Sequence, residues 1–334
     1  MIEALKKSIS QNFDGVSFNL ENWGEVIDKS SDVSVFYLKS TVDYYSSYFE
    51  GVNLSFVLFE NKMPISIFPL FVHKKENNWF LSCDGNNLIK PLFIKSIAEK
   101  AKKRSEKQIL EITCYIARKL EIKKVHIVEF SPALSEWYLL WLDKASKSFL
   151  THQLAIDLRL TIESIRMSFR RSYKTLVNKA LREWDIDVCD SDIEHVFEEF
   201  RLLHLEVSGR ETRVRETWDI QKEQVKNKEA LLITVRDGGI LIGAGLFTYT
   251  KDMGSSSVGA YKRELFDKPI GHGVQMKAIE ALKEKGCKTY HIGQKTTLLD
   301  DNIPTCKEMS ISYFKEGFAG YVYAQPHLEV NLNE

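Results

Sequence analysis

One pattern occurs twice and limits the folds open to this chain. Residues 55–72, SFVLFENKMPISIFPLFV, read as two apolar β runs around a short polar turn, and residues 232–249, LITVRDGGILIGAGLFTY, repeat the design. In the second copy Asp237-Gly238-Gly239 supplies the positive φ that a tight hairpin needs. Each hairpin is followed by helical periodicity and a further strand: helices over 91–104 and 106–120 and a strand over Lys123–Phe130 in the first half, a helix over 272–285 and a strand over Lys288–Ile292 in the second. A β-β-α-β unit present twice predicts an α/β chain with mixed sheets, divided at 1–150 and 151–334, and 334 residues suffice for two packed cores.

The segment joining the halves carries the charge. Gln153–Leu158 predicts a strand, and the apolar spacing of Ile162, Ile165, Phe169, Tyr173, Leu176, Val177, Ala180, Leu181 and Trp184 predicts one long amphipathic helix over 161–184. Arg166, Arg170 and Lys174 line another face of it. Lysine plus arginine equals aspartate plus glutamate at 46 each, which argues against a dedicated nucleic-acid binder. The balance is only global: residues 159–182 hold seven basic side chains against Glu163, and residues 183–206 hold nine acidic ones against Arg201. The basic face is either a solvated surface or a wall for an anion, such as the phosphate of a nucleotide sugar, of a lipid diphosphate or of RNA.

Several chemistries are excluded by missing residues. There is no G-x-x-x-x-G-K-[ST] loop, and Gly243-Ala244-Gly245 runs on into a strand rather than completing G-x-G-x-x-G. The serines of Gly254–Gly259 lack the glycine spacing of a nucleophile elbow. Eight histidines and five scattered cysteines never reach metal-ligand spacing, so neither a metal nor a disulfide framework is expected. The apolar runs are strand-sized, and MIEALKKSIS has no secretory-signal pattern; no stable membrane insertion and a cytoplasmic location are expected.

The most informative stretch is Lys268-Pro269-Ile270-Gly271-His272-Gly273-Val274, which delivers glycines to the start of a helix. Free backbone N–H groups there form an anion site that a pyrophosphate can approach. It resembles the R/Q-x-x-G-x-G/A acyl-CoA motif of the GNAT acetyltransferases, with Lys268 in the arginine or glutamine position. On this reading Gly273→Glu is expected to abolish CoA binding and leave folding largely intact.

The order of segments extends the likeness over nearly the whole chain: HQLAIDL, FRRSYKTLVNKALREWDIDV, VSGRETRVRETWD, the second hairpin and KEMSISYFKEGFAG. This resembles the FemAB and BioF2-like acyltransferases, whose chains carry two GNAT-like domains in tandem. The resemblance implies transfer of an acyl or aminoacyl group to an amine of a cell-wall or surface-polysaccharide precursor in the cytoplasm. The helical arm of some aminoacyl-tRNA-dependent members has no counterpart here, so acyl-CoA is favoured over charged tRNA as donor. A fold that binds without catalysing is the third reading.

Acyl transfer needs a deprotonated amine and donors facing the oxyanion. His204 is the expected base and Glu216 a second candidate, each weighed against a packing or surface role. Arg210 and Arg213, near Trp218, would hold a phosphate or carboxylate of the acceptor. Tyr261 would protonate the leaving thiolate. The resemblance makes Tyr313-Phe314-Lys315 a final strand in which Phe314 and Lys315 face the reaction, with Lys307 and Glu308 on the same wall. Gln294 and Lys295 follow a strand's carboxyl end, where α/β sheets open toward ligands.

Overall fold

The computed structural model describes residues 1–131, 133–298, 300 and 303–332. In chain order the elements are α1 (Ile2–Asn12), β1 (Val16–Ser17), α2 (Trp23–Lys29), α3 (Lys39–Tyr48), β2 (Val52–Asn53), β3 (Phe56–Glu60), β4 (Met63–Phe68), β5 (Phe71–Lys75), β6 (Asn78–Ser82), β7 (Leu92–Phe93), α4 (Glu99–Lys119), β8 (Lys124–Val128) and α5 (Glu136–Leu142). They continue as β9 (Ala145–Asp157), α6 (Ile162–Ser168), α7 (Arg171–Glu183), β10 (Asp185–Val188), α8 (Ile193–Ser208), α9 (Arg215–Lys226), β11 (Ala230–Asp237), β12 (Ile240–Tyr249), β13 (Met253–Tyr261), α10 (Ile270–Glu284), β14 (Thr289–Gln294), α11 (Cys306–Glu316) and β15 (Tyr321–Asn331). Two compact units result, Met1–Thr151 with Ala324–Glu334, and His152–Tyr323. The division expected at 150/151 gives residues 324–332 to the second half; in the structure they lie with the first.

In the first unit β1-β3-β4-β7 form one sheet and β2-β5-β6 another. The β3–β4 turn is made by Asn61 and Lys62, both at positive φ, the geometry that matches the twist of the strands. His327–Asn331 of β15 pair antiparallel with β8. The core gathers Phe56, Phe68, Trp137 and Trp141 over Ile109, Ile112 and Ile116 of α4. The two helices expected over 91–104 and 106–120 are one. Ser105 and Glu106 are buried in line with Ile109, Ile112, Thr113 and Ile116, so the inward stripe runs unbroken. Residues 91–98 instead follow the sheet, where the Ile94 N–H donates to the Ile65 carbonyl at 3.1 Å.

In the second unit the strands lie in the order β10-β11-β12-β13-β14-β9. Gly238 and Gly239, at φ 54° and 85°, close the β11–β12 hairpin. Side chains alternate across this sheet. Leu231, Ile233 and Val235 of β11 join a core with α7 and α10, while Ala230 and Leu232 face α8 and α9. The single helix expected over 161–184 is two. Phe169 is extended at ψ 148°, 4% exposed, with its ring edge-on to Phe318 at 5.1 Å. The Arg170 N–H then donates to the Gly317 carbonyl at 2.8 Å instead of continuing the helix. Burying one aromatic outweighs the local periodicity. Residues 313–315, expected in a strand, lie in α11, whose start is fixed by a Thr305–Glu308 capping box. No helix among the described residues is long and apolar enough to cross a membrane.

Candidate functional site

The second unit's sheet parts in one place. β13 and β14 run parallel and pair only over Met253–Ser255 with Thr289–His291. Beyond that point each keeps its outer partner, β13 pairing with β12 as far as Tyr261 and β14 with β9 as far as Gln294. Both strands bulge just after they separate: the register skips Ser257 on β13 and Ile292 on β14. A bulge bends its strand and raises the local twist. The Ser257 hydroxyl is held by the Thr248 hydroxyl at 2.6 Å. The opening therefore presents backbone N–H and C=O groups of two strands that no longer satisfy each other.

Helix α10 begins beside this opening. A Cβ added to Gly271 would stand 3.3 Å from the Phe314 ring and 3.8 Å from the Tyr261 ring, so these aromatics flank the first turn. Tyr261 lies over Gly243, where a Cβ would meet its Cδ1 at 2.8 Å, and burial raises its hydroxyl pKa. The phenol is protonated at neutral pH. A Cβ on Gly293, at φ 142°, would fall 2.6 Å from the Lys315 Nζ. Lys315 thus hangs over the end of β14, and burial lowers its pKa from the usual lysine value. No carboxylate lies within ion-pair distance of it among the described residues. The structure brings Tyr261, Gly271, Phe314 and Lys315 to one edge of the sheet.

Other expected donor residues have different surroundings. His272 is edge-on to Tyr173 at 4.4 Å and to Phe314 at 5.1 Å. Its buried Nε2 has no hydrogen-bond partner, and burial, with Arg170 nearby, lowers its pKa to about 4. Ile270 and Val274 are core residues. A Cβ on Gly273 would stand 2.3 Å from Ile186 Cδ1 and 3.0 Å from Ala180 Cβ, so its missing side chain lets α10 lie directly on α7 and β10. Gly273→Glu would force a carboxylate into that contact, which corrects the expectation that folding survives the change. The His272 and Gly273 N–H groups donate to the Pro269 carbonyl at 3.0 and 3.2 Å. Lys268 is exposed and pairs with Asp267 at 3.0 Å.

Arg170 is engaged with α11. Its guanidinium lies 3.7 Å from the Tyr313 ring centroid and donates to the Tyr173 hydroxyl at 3.1 Å and the Tyr313 carbonyl at 3.2 Å. Tyr173 in turn donates to the Phe314 carbonyl at 3.2 Å. These contacts supply partners for the carbonyls at the end of α11. Arg166 donates to Asn178 Oδ1, and Lys174 lies part-exposed on the outer side of α7. Gln294 donates to Asp300 at 3.2 Å.

The remaining candidates occupy the opposite face of the sheet. His204, on α8, packs edge-on to Trp218 at 5.0 Å; burial and the Arg213 charge lower its pKa. Arg213 lies over the Trp218 ring at 4.5 Å and donates to Gln221 Oε1 at 3.2 Å. Trp218, at 3% exposure, is a core residue wedged against Phe197 and Phe200. Arg210 and Glu216 are exposed.

Sequence reasoning missed one pair at the opening. His291 Nδ1 and the Tyr323 hydroxyl lie 3.1 Å apart, and burial lowers the histidine pKa to about 4. The signal present in the chain is Gly293, a glycine at a strand end whose φ no β-branched residue would adopt.

No protein-family model matches the sequence, and no curated protein matches it. Among solved structures it is similar to FemX (TM-score 0.69, 12% identity, 93% of this chain and 96% of that one). It is also similar to L-PGS from Bacillus licheniformis (TM-score 0.61, 14% identity, 94% and 92%). A third likeness is the C-terminal domain of a putative lysylphosphatidylglycerol synthetase from Agrobacterium fabrum (TM-score 0.60, 12% identity, 92% and 92%). With hairpin-helix-strand units in both halves and a parted parallel pair beside a helix start in the second, the chain has a FemX-like fold.

Proposed function

We propose that the protein is an acyltransferase that takes an acyl group from acyl-CoA and places it on an amine of a nucleotide-sugar, surface-polysaccharide or cell-wall precursor, in the cytoplasm where such donors and precursors occur. The observation that carries this reading is the parting of β13 from β14 at the start of α10, with Tyr261 and Lys315 at its edge. A thioester lying in the opening would receive hydrogen bonds from strand N–H groups left without cross-strand partners. The pyrophosphate would lie toward Lys268 and Gly271, at the positive end of the α10 dipole. An opening between strands is also the place where groups on both sheet faces can approach one atom, which keeps His204 and Glu216 as bases for an acceptor arriving from the α8 side.

The amine nitrogen attacks the thioester carbonyl, and Lys315 stabilises the oxyanion. The C–S bond breaks, the thiolate takes the Tyr261 proton, and the ammonium proton leaves to His204 or Glu216. Arg210 and Arg213 would hold an anionic group of the acceptor, and Arg166 and Lys174 a phosphate along α7. A second reading, drawn from the resemblance to FemAB-type transferases, takes a charged tRNA as donor. Thermal unfolding with CoA, acetyl-CoA and aminoacyl-tRNA separates them. Saturation at a hundredfold excess over Kd stabilises by about 2.7 kcal/mol, so a donor raises Tm by several degrees. A shift with tRNA alone moves the assignment to the second reading; a shift with none leaves a binding module without a donor.

A further inference from the structure

Helix α4, in the first unit, presents a cationic ridge that the transfer reading does not use. Lys100, Lys103, Arg104, Lys107 and Arg118 recur at helical spacing along its outer side and are exposed, with Glu111 the acid among them. The flanks of the helix are covered. On one side Gln108 donates to the Asp14 carbonyl at 2.7 Å and the Ser8 and Tyr115 hydroxyls meet at 2.6 Å. Arg104 pairs with Glu60 on that same side, and on the other Lys103 pairs with Glu136 at the start of α5 at 3.4 Å. Lys100, Lys107 and Arg118 have no ion-pair partner among the described residues.

Exposed leucines lie on α5, whose first residue, Glu136, pairs with Lys103 of the ridge. α5 packs on α4, and after Glu136 its outward residues are Leu139 and Leu142, at 42% and 40% exposure. Its other side buries Trp137 and Trp141, so the leucines cannot turn inward.

We propose that this face docks the protein on an anionic lipid surface, with the α4 cations at the phosphate level and Leu139 and Leu142 entering the headgroup boundary. Cations beside exposed apolar side chains are what a lipid interface accepts. The phosphate backbone of RNA would use the cations and leave the leucines in water. The proposal is independent of the donor, the acceptor and the transfer chemistry.

The test is co-sedimentation of the full chain with vesicles of phosphatidylglycerol and phosphatidylcholine, against phosphatidylcholine alone. Selective binding that weakens with salt is expected. Each lysine near an anionic leaflet changes partition about fivefold, so Lys100→Gln/Lys107→Gln reduces binding about 25-fold, and Leu139→Ser/Leu142→Ser reduces it severalfold while keeping the salt dependence. All four substitutions are on the surface, and circular dichroism checks that the fold is retained. No pelleting, equal pelleting with phosphatidylcholine, or binding that ignores the lysine changes overturns the proposal. So does retention of tRNA through these lysines by a protein that leaves the vesicles unbound.

Discussion

Gly273 decides between two uses of the same glycine, and Gly273→Ala tests them. If the position is bare for the sake of a ligand, a methyl group there costs no stability, and it adds the helix propensity of alanine, worth up to about 1 kcal/mol over glycine. The packing forecasts the opposite. The new Cβ would lie 2.3 Å from Ile186 Cδ1 and 3.0 Å from Ala180 Cβ, where unstrained carbons sit about 3.5–4.0 Å apart. Ile186 must move its terminal methyl by more than about 1 Å. It is 7% exposed, and the Ala180 contact is a Cβ with no rotamer to change. Overpacking costs about 1–3 kcal/mol; less the propensity gain, a net loss of about 1–2 kcal/mol is expected, or a Tm lower by roughly 2–8 °C. Ile186→Val removes the offending methyl at about 0.5–1.5 kcal/mol on its own. Combined with Gly273→Ala, it recovers about 1 kcal/mol through a coupling that additive sites lack. Urea and thermal unfolding of the four proteins measure this cycle. A Gly273→Ala protein more stable than the parent, or strict additivity with Ile186→Val, would refute the packing account.

Lys315→Met removes a part-buried ammonium that has no ion-pair partner, so the protein gains stability near neutral pH while turnover falls by about a hundredfold or more, the usual cost of losing an oxyanion donor. Donor affinity in a titration stays within a few-fold; full activity with methionine ends the catalytic assignment of Lys315. His272→Phe tests acid sensitivity. The folded His272 titrates at about 4 against 6.5 for an ordinary histidine, so the unfolded chain binds the proton first and stability is lost as pH falls from about 6.5 toward about 4. The variant therefore loses less Tm than the parent between neutral pH and pH 5; identical acid slopes place the titrating group elsewhere.

How much of this was legible in the chain depended on whether local sequence or distant packing decided the outcome. The β11–β12 hairpin was legible because Gly238-Gly239 and the flanking runs settle turn and strands together, and α10 and β14 follow from periodicity of the same local kind. The break at Phe169 was not. The periodicity continues through it, and what ends α6 is a ring finding Phe318 almost 150 positions later. Trp218 looked like a ligand contact because polar residues surround it in sequence, yet Phe197 and Phe200 bury it from the preceding helix. The parting of β13 and β14 could not be read at all, since it depends on outer partners: β12 and β9 hold the two strands apart in register, and no short motif encodes the separation.

The charge boundary between residues 159–182 and 183–206 takes a different meaning once partners are known. Adjacent blocks of opposite sign suggest mutual neutralisation, but among the described residues the one ion pair across the boundary is Lys179 with Glu183, at 3.9 Å. The acids turn elsewhere: Glu194 to Lys222 and Lys226, Glu198 to Arg201 and Arg215, Glu199 to Arg236, and Asp187 to Lys277. Four of these carboxylates are thus matched by cations supplied mainly from after residue 210. In the basic block, Arg159 holds Asp157 at 2.7 Å and Arg170 is committed to Tyr313 and the carbonyls that end α11. Arg171, Lys174 and Arg182 have no ion-pair partner among the described residues. Because these four acids are held by cations from outside the basic block, Arg171, Lys174 and Arg182 are not neutralised by them. An anion near α7 would meet Lys174 and its neighbours, whereas Arg170 must first release a helix end and a tyrosine ring.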